Sequence, residues 1–387
     1  MSLPTAATPV LVCAYVTGPA ERAVPDLVTA LQRGLGDNRA VAVLYFASGC
    51  YQPDDLAGPI SRHFSQAAVI GCSTAGEFTD SVTGTGGISA VALPSGVLHG
   101  AVAALGDLSR DVVAGTVAAV WDIETRLDAR LRDLDPSRHL GLLLVDGIHG
   151  SEELVNQTLG SVAPLLDVVG GSAGDDLAFD RTWVAVGDVV SYHGIALLVC
   201  EAAVPYLVIK TCSFEPSGRK LRITAADIAS RTVHSFDGRP AAEAYADAVG
   251  VPVAALDSSI WMKHPVGLMI GGQPWIRSPR AVTPDGGVAF YAQIRSGMEV
   301  DVMNPTGLVS DTSVAMARAC AQLGSSSGAV LFNCILRQLE IEATHASDAF
   351  LAALGGMPAA GFHTYGESWL GHINQTLTGV VFGSARS

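Results

Sequence analysis

Val69-Ile70-Gly71-Cys72-Ser73-Thr74-Ala75-Gly76-Glu77 returns twice further along the chain, as Val168-Val169-Gly170-Gly171-Ser172-Ala173-Gly174-Asp175 and as Ala359-Ala360-Gly361-Phe362-His363-Thr364-Tyr365-Gly366-Glu367. Each copy has two glycines about five residues apart and a carboxylate straight after the second. The surroundings repeat as well. An apolar, β-prone run precedes each glycine elbow: Ala40 to Phe46, Leu140 to Val145, and Ala329 to Phe332. Between run and elbow lies a helix candidate opened by polar residues, with Asp54-Asp55 ahead of Leu56, Ile60 and Phe64, Ser151-Glu152-Glu153 ahead of Leu154, Val155 and Leu159, and Ser347-Asp348 ahead of Phe350, Leu351 and Leu354. Another strand-like run follows each elbow, at Ile88 to Leu93, Ile195 to Cys200 and Leu377 to Phe382. The pattern predicts a β-α-β-elbow-β unit used three times.

Residues from about Tyr206 to Met303 depart from the unit. They read as short strands broken by Pro-Ser-Gly, Asp-Gly, Gly-Gly and Ser-Gly turns, with one helix from Pro240 to Val249. The expected fold class is α/β, with mixed β-sheets covered by helices, three units and a β-meander in the C-terminal half. Glu215-Pro216-Ser217-Gly218 interrupts the apolar pattern, so the expected division is a domain of residues 1–215 holding two units and a domain of residues 216–387 holding the meander and the third.

A chain of 387 residues that is 49% hydrophobic has ample core material for two domains. Its formal net charge of -14, with no Lys/Arg cluster, argues against nucleic acid or anionic membrane as a partner. Met1 to Pro9 carries no positive segment and the run Val10 to Val16 is too short to span a bilayer, so the expectation is a cytoplasmic protein. Seven cysteines, at 13, 50, 72, 200, 212, 320 and 334, include no C-x-x-C pair, which predicts neither structural zinc nor a disulfide framework. Most lie in apolar runs and read as small hydrophobes.

Paired glycines permit positive φ and close backbone approach, so elbow N–H groups can turn toward an anion or planar ligand. On this reading the ligand-binding candidates are Gly71, Cys72, Ser73, Thr74, Gly76 and Glu77 in the first elbow, and Gly170, Gly171, Ser172, Gly174, Asp175 and Asp176 in the second. The alternative is that the glycines only make the turn, with Glu77, Asp175 and Glu367 accepting local backbone hydrogen bonds. No elbow carries the Gly-Lys-Ser/Thr ending of a phosphate loop or a dinucleotide fingerprint. Cys72 directly follows Gly71 and would sit on a sharp turn, where G-x-S-x-G enzymes place their serine, which keeps a cysteine-dependent enzyme, using Cys72 or Cys334, as a further alternative.

With these motifs in view the chain resembles the FIST family, intracellular sensory proteins with an N-type and a C-type FIST domain. The residues that carry the resemblance are Gly71 to Glu77, Val145-Asp146-Gly147 and Gly170 to Asp176 in the first half, then Asp237-Gly-Arg-Pro-Ala241, His264-Pro-Val-Gly267, Phe332-Asn-Cys-Ile-Leu-Arg337, Gly366-Glu367 and Asn374-Gln-Thr376. Trp261 to Gly272, Phe332 to Glu340 and Thr364 to Thr376 are similar to the haem-binding, nitric-oxide-sensing branch of that family. The resemblance implies a bacterial sensor rather than an enzyme, a non-covalent haem b, nitric oxide as the sensed molecule, and a partner histidine kinase or cyclic-di-GMP enzyme. It adds Cys334, Arg337, Thr364, Gly366, Glu367, Asn374 and Thr376 to the ligand-binding candidates. Axial-ligand candidates are His372, His264, His193 and His363. A haem-free member would instead take a small metabolite such as an amino acid, with Arg337 and the three elbow carboxylates as paired charges.

Overall fold

The computed structural model describes residues 10–384, so Met1 to Pro9 lie outside it. The first unit runs β1 (Val12–Thr17), α1 (Ala20–Leu35), β2 (Ala40–Ser48), α2 (Ala57–His63), β3 (Ala68–Thr74), a hairpin of β4 (Glu77–Thr79) and β5 (Thr83–Gly84), and β6 (Gly87–Pro94). The second repeats the order with β7 (Leu98–Asp107), α3 (Val112–Leu127), β8 (His139–Val145), α4 (Glu152–Val162), β9 (Asp167–Ser172), the hairpin β10 (Val184–Val186) and β11 (Val189–Ser191), and β12 (Gly194–Ala202). The third opens with β13 (Tyr206–Cys212) and is interrupted by the meander: β14 (Phe214–Asp227), β15 (Thr232–Phe236), β16 (Arg239–Pro240), α5 (Ala241–Val249), α6 (Ser258–Lys263), β17 (Val266–Ile270), β18 (Gln273–Arg277), β19 (Pro279–Val282), β20 (Val288–Phe290) and β21 (Glu299–Pro305). It resumes with α7 (Leu308–Leu323), β22 (Ser326–Cys334), α8 (Ile335–Ala343), α9 (Ser347–Ala353), β23 (Ala359–Thr364), the hairpin β24 (Glu367–Trp369) and β25 (His372–Ile373), and β26 (Thr376–Gly383). The fold is mixed α/β. Residue 215 is the second residue of β14, so β13, the outer strand of the third sheet, lies on the N-terminal side of the expected division.

Each unit orders its long strands alike, as β1-β6-β2-β3, β7-β12-β8-β9 and β13-β26-β22-β23. The β2/β3, β8/β9 and β22/β23 pairs are parallel, which is why a crossover helix separates their members. The hairpins are exchanged in a ring. β4–β5 of the first unit adds to β23 of the third, β24–β25 of the third adds to β9 of the second, and β10–β11 of the second adds to β3 of the first. No unit completes its own sheet.

Strand alternation explains the layering. In β2, Ala42, Leu44 and Phe46 face a core shared by all three units, while Val43, Tyr45 and Ala47 pack under α1 and α2. β8 divides in the same way, with Leu140, Leu142 and Leu144 inward and Leu143 and Val145 outward, as does β22, with Val330 and Phe332 inward and Ala329 and Leu331 outward. Phe46, Phe332 and Phe362 meet near the centre, at ring separations of 4.9 to 6.3 Å. Strands covered on both faces need continuous apolar runs, and those runs are what the sequence shows. The polar residues expected to cap the crossover helices make no capping hydrogen bond, since the N-cap positions are Leu56, Ser151 and Ala346 and none bonds through its side chain. Burial of one helix face holds these helices instead.

The meander has its own core, around Leu221, Ile223, Phe236, Tyr245, Trp261 and Val300. It docks on the second unit through Arg231, which donates to Glu152 at 2.8 Å and Glu153 at 2.6 Å, and through the Gln293 N–H, which donates to Glu153 at 2.6 Å. On the third unit, Ser278 donates to Gln375 at 2.6 Å, and Gln375 donates in turn to the Met262 carbonyl at 2.8 Å.

Candidate ligand site

The three elbows meet one another. Ala75 N–H donates to the His363 carbonyl at 3.1 Å and His363 N–H to the Gly76 carbonyl at 2.8 Å; Tyr365 N–H donates to the Ser172 carbonyl at 3.2 Å and Ser172 N–H to the Gly366 carbonyl at 2.8 Å; Gly174 N–H donates to the Ser73 carbonyl at 3.1 Å and Asp176 N–H to the Thr74 carbonyl at 3.0 Å. These donors, expected to turn toward a ligand, are spent on closing the ring.

The glycines act through space rather than through positive φ. Of the elbow glycines only Gly76, at φ +124°, is left-handed. Gly71, Gly170 and Gly361 lie in β3, β9 and β23, opposite Tyr45, Leu143 and Leu331 on the parallel neighbour. A Cβ there would come within 2.3 Å of the Tyr45 ring, 1.8 Å of the Leu143 oxygen and 2.0 Å of the Leu331 oxygen. Gly171 and Gly174 lack room for a Cβ against Thr364 and the Ala75 backbone, and Gly366 lies against the His372 ring.

The carboxylates divide two against one. Glu77 is fully buried, accepts from the Thr74 hydroxyl and receives the Gly87 N–H at 2.9 Å. Glu367, equally buried, accepts from Thr364 Oγ1 at 2.5 Å and from Thr376 N–H and Oγ1 at 3.1 and 2.7 Å. Burial pushes Glu77 up to about 8 and Glu367 up to about 7, against the opposing pull of these hydrogen bonds. The second elbow is one residue shorter, its glycines at 170 and 174, and its Asp175 holds an open loop: Oδ1 receives the Phe179 N–H at 2.9 Å and Oδ2 those of Asp180 and Arg181 at 2.7 and 2.9 Å. Tyr365, from the third elbow, donates to Asp175 at 2.5 Å and accepts from Leu177 N–H at 2.8 Å. Asp176, Leu177 and Phe179 all have positive φ, and Ser48 donates to Asp176 at 2.6 Å. Strain of this kind persists where the surroundings impose it and concentrates at functional loops.

That loop walls a cavity of about 530 Å³ between the second unit, the third unit and the meander. Leu177 and Phe179 face it, with the Phe179 ring stacked on Tyr365 at 4.9 Å. The turn after β8 contributes Gly147 to Gly150, the start of α8 contributes Ile335, Leu336 and Leu339, and the meander contributes Arg231, Arg280, Phe290 and Tyr291. Burial raises the Tyr291 pKa while the charge of Arg280, which lines the same cavity, opposes the rise. Arg231 is committed to Glu152 and Glu153, whereas Arg280 forms no ion pair among the described residues. The chemistry on offer is a mixed polar and aromatic slot with the exposed, uncommitted guanidinium of Arg280 at its wall.

Of the residues expected at a ligand, Cys334 and Asn374 line this cavity, and Tyr365 joins them from within the third elbow. Gly71 to Glu77 and Gly170 to Ser172 are sealed in the ring. Arg337 does not pair with the elbow carboxylates; it is buried and donates to Asn333 at 2.8 Å, Ser213 at 3.0 Å and Thr312 at 2.8 Å, tying α8 to β22, to the link between β13 and β14, and to α7. Cys72 and Cys334 are buried thiols whose pKa burial drives well above the ordinary value, the reverse of the environment a thiolate nucleophile needs.

None of the four nominated histidines lines the cavity. His363 is in the core, its Nδ1 against Asn333 at 3.0 Å and its Nε2 against Thr83 at 3.2 Å, and burial, then Arg337, hold its pKa down to about 3. His372 is buried with neither ring nitrogen hydrogen-bonded among the described residues, and burial lowers its pKa. His264 contacts the Met303 carbonyl at 3.2 Å. His193 meets Ser151 at 3.2 Å and stacks on His149 at 4.0 Å. The residues that sequence reasoning passed over are His149, Phe179, Arg280 and Tyr291. The one local signal for them was the missing residue in the second elbow, which marks where the repeat opens.

The structure is thus a thrice-repeated α/β body with a cavity beneath an inserted meander. The FIST N domain model matches residues 41–239 and the FIST C domain model residues 241–369, and the chain belongs to the FIST family, whose domains are generally small-ligand sensors in signal transduction. No curated protein matches it. Among solved structures it is similar to phosphoribosylformylglycinamidine synthase II from Thermotoga maritima at 10% identity over 97% of this chain and 72% of that one, with a TM-score of 0.20, a level that carries no argument. Among the described residues no helix is long and apolar enough to cross a membrane.

Proposed function

We propose that the chain senses a small carboxylate metabolite, amino acids included, bound in the cavity between the core and the meander. The observation that carries this reading is Arg280, an uncommitted guanidinium beside an aromatic slot. A carboxylate on Arg280 with its apolar body against Phe179, Phe290 and Tyr365 joins meander to core. Only a ligand that binds the docked arrangement better than the undocked one shifts their populations. At a hundred times its Kd such a ligand stabilises the docked form by ~2.7 kcal/mol, about a hundredfold in population. The docked meander is then the signal passed to a separate partner, for which the family resemblance suggests a histidine kinase or a cyclic-di-GMP enzyme.

The test is calorimetric titration against a panel of small carboxylates and amino acids, with Arg280→Ala as the comparison. Saturable binding that weakens at least tenfold in the variant is expected; no saturable binding by any member, or an unaffected variant, overturns the reading. A haem-held nitric oxide sensor is the second reading, and the observation in its favour is His149, which lines the cavity with its Nδ1 held by Asp146 at 2.7 Å. Hemin titration followed at the Soret band, with His149→Ala as comparison, separates the two.

A further inference from the structure

We propose that Asp146, His149 and His193 bind a divalent transition metal of the zinc class at the edge of this cavity. Asp146 is the first residue past β8 and His193 the last before β12. The antiparallel register that sets Val145 opposite Ile195 brings the two side by side, and Asp146 N–H donates to the Gly194 carbonyl at 2.9 Å. The turn that follows folds His149 back onto both. Its Nδ1 lies 2.7 Å from Asp146 Oδ2 and its ring stacks on His193. One ligand atom from each residue then lies within 4.8 Å of the other two. Thr182 donates to the remaining Asp146 oxygen at 2.5 Å, the kind of supporting bond that orients a metal-binding carboxylate.

Two further observations favour a cation here. Asp146 is fully buried, and among the described residues its ion-pair partner is His149, whose side chain is 43% exposed. Its hydrogen bonds, from the Thr182 hydroxyl and from the His149 N–H at 3.1 Å, satisfy the oxygens but bring no full positive charge, which a metal ion would supply. The set is also peculiar to one unit. By ladder register Asp146 corresponds to Ser48 and Cys334, and His193 to Gly86 and Gln375, so the repeat does not supply it and the second unit has acquired it beside the open loop. Two imidazoles and a carboxylate, without a thiolate, suit zinc or cobalt and leave a coordination position for water or another ligand. The same turn supplies Gly147, His149 and Gly150 to the cavity wall, so the ion would fix that wall.

The test uses chelator-treated full-length protein titrated with cobalt(II) and then competed with zinc(II), beside His149→Gln and His193→Gln. Neither substitution cuts a core contact, and circular dichroism checks the fold. One equivalent of cobalt with visible bands of low coordination number, displaced by zinc and weakened at least tenfold in each variant, is the expected result. A cobalt spectrum like that of the aqueous ion, or zinc affinity unchanged in both variants, overturns the proposal. No carboxylate is present in these titrations, so their outcome is independent of the reading built on Arg280.

Discussion

The first and third elbows use their carboxylates to close, and the second uses its own to open. Glu77 and Glu367 reach across to the strand that returns ten and nine residues on, at Gly87 and Thr376, and the intervening hairpin is clamped. Asp175 reaches only to residues 179 to 181, and the freed segment becomes a cavity wall. One residue fewer between the glycines, and one methylene fewer on the acid, separate a structural joint from a binding loop. In a fold with near three-fold internal repetition, the site lies where the repetition fails.

The comparison breaks most severely at the glycines that all three elbows share. Gly170→Ala and Gly361→Ala drive a methyl into a backbone carbonyl that cannot move without parting the parallel strands, so each should cost more than about 4 kcal/mol or prevent folding. Gly71→Ala meets a ring instead, and should cost about 2 to 3 kcal/mol as Tyr45 shifts. Urea midpoints give the ranking. Equal losses at all three positions would mean that the ring of elbows yields as a whole.

The acids separate the two roles next. Glu367→Ala strands the buried Thr376 N–H and two hydroxyls, at about 3 kcal/mol, through the core and without any contact to the cavity. Asp175→Ala frees N–H groups in a loop open to solvent and takes the acceptor from the Tyr365 hydroxyl, so about 1 to 2 kcal/mol is expected, together with roughly tenfold weaker carboxylate binding as Leu177 and Phe179 lose their placement. A joint loss of stability and binding in both variants would erase the distinction.

Much of this arrangement is legible in the sequence because burial on two faces writes itself as apolar runs. The strands at 40–48, 139–145 and 326–334 and the crossover helices follow from that pattern alone. The hairpin exchange does not, since β4, β10 and β24 are three-residue strands whose partners lie in another unit, and nothing local selects among them. The glycines were legible as conserved spacing within the chain, but close approach and positive φ place the same demand on residue type, and here approach won. Cavity residues such as Arg280 and Tyr291 come from turns and short strands of the meander, where no periodicity points to a function.

Stability against pH probes the two closed elbows directly. Glu77 and Glu367 titrate in the folded protein near 8 and 7, above the ordinary 4.5, so the folded state holds their protons more tightly than the unfolded chain does. Their contribution is complete below the ordinary carboxylate range and is lost as pH rises toward 7 and 8, with a limiting slope of about 1.4 kcal/mol per pH unit for each group. His363 runs the other way, its lowered pKa removing stability only as pH falls below about 6.5. Urea melts between pH 7 and 8 lie above most of the histidine titration and below most of that of the buried thiols, and so report chiefly the carboxylates. Stability should fall across that window and flatten in Glu77→Gln and Glu367→Gln; a slope that survives both substitutions assigns it elsewhere.

The smallest effect is the most diagnostic, because Tyr365 belongs to a closed elbow and serves the open one. Its hydroxyl donates to Asp175 and accepts from Leu177 N–H, while its ring stacks on Phe179. Tyr365→Phe keeps the ring and the stack and removes only the hydroxyl, leaving Asp175 its backbone donors and Leu177 N–H in a loop that water can reach. The stability cost should stay near 1 kcal/mol. Binding should weaken about fivefold, because the loop keeps its anchor at Asp175 and loses the link that sets its height over the cavity, and proteolysis within residues 176–181 should accelerate to match. Equal stability with unchanged binding and proteolysis would show that Asp175 holds the loop alone. The third elbow would then contribute to the site only by packing, and the division of labour among the three would lie wholly within the second.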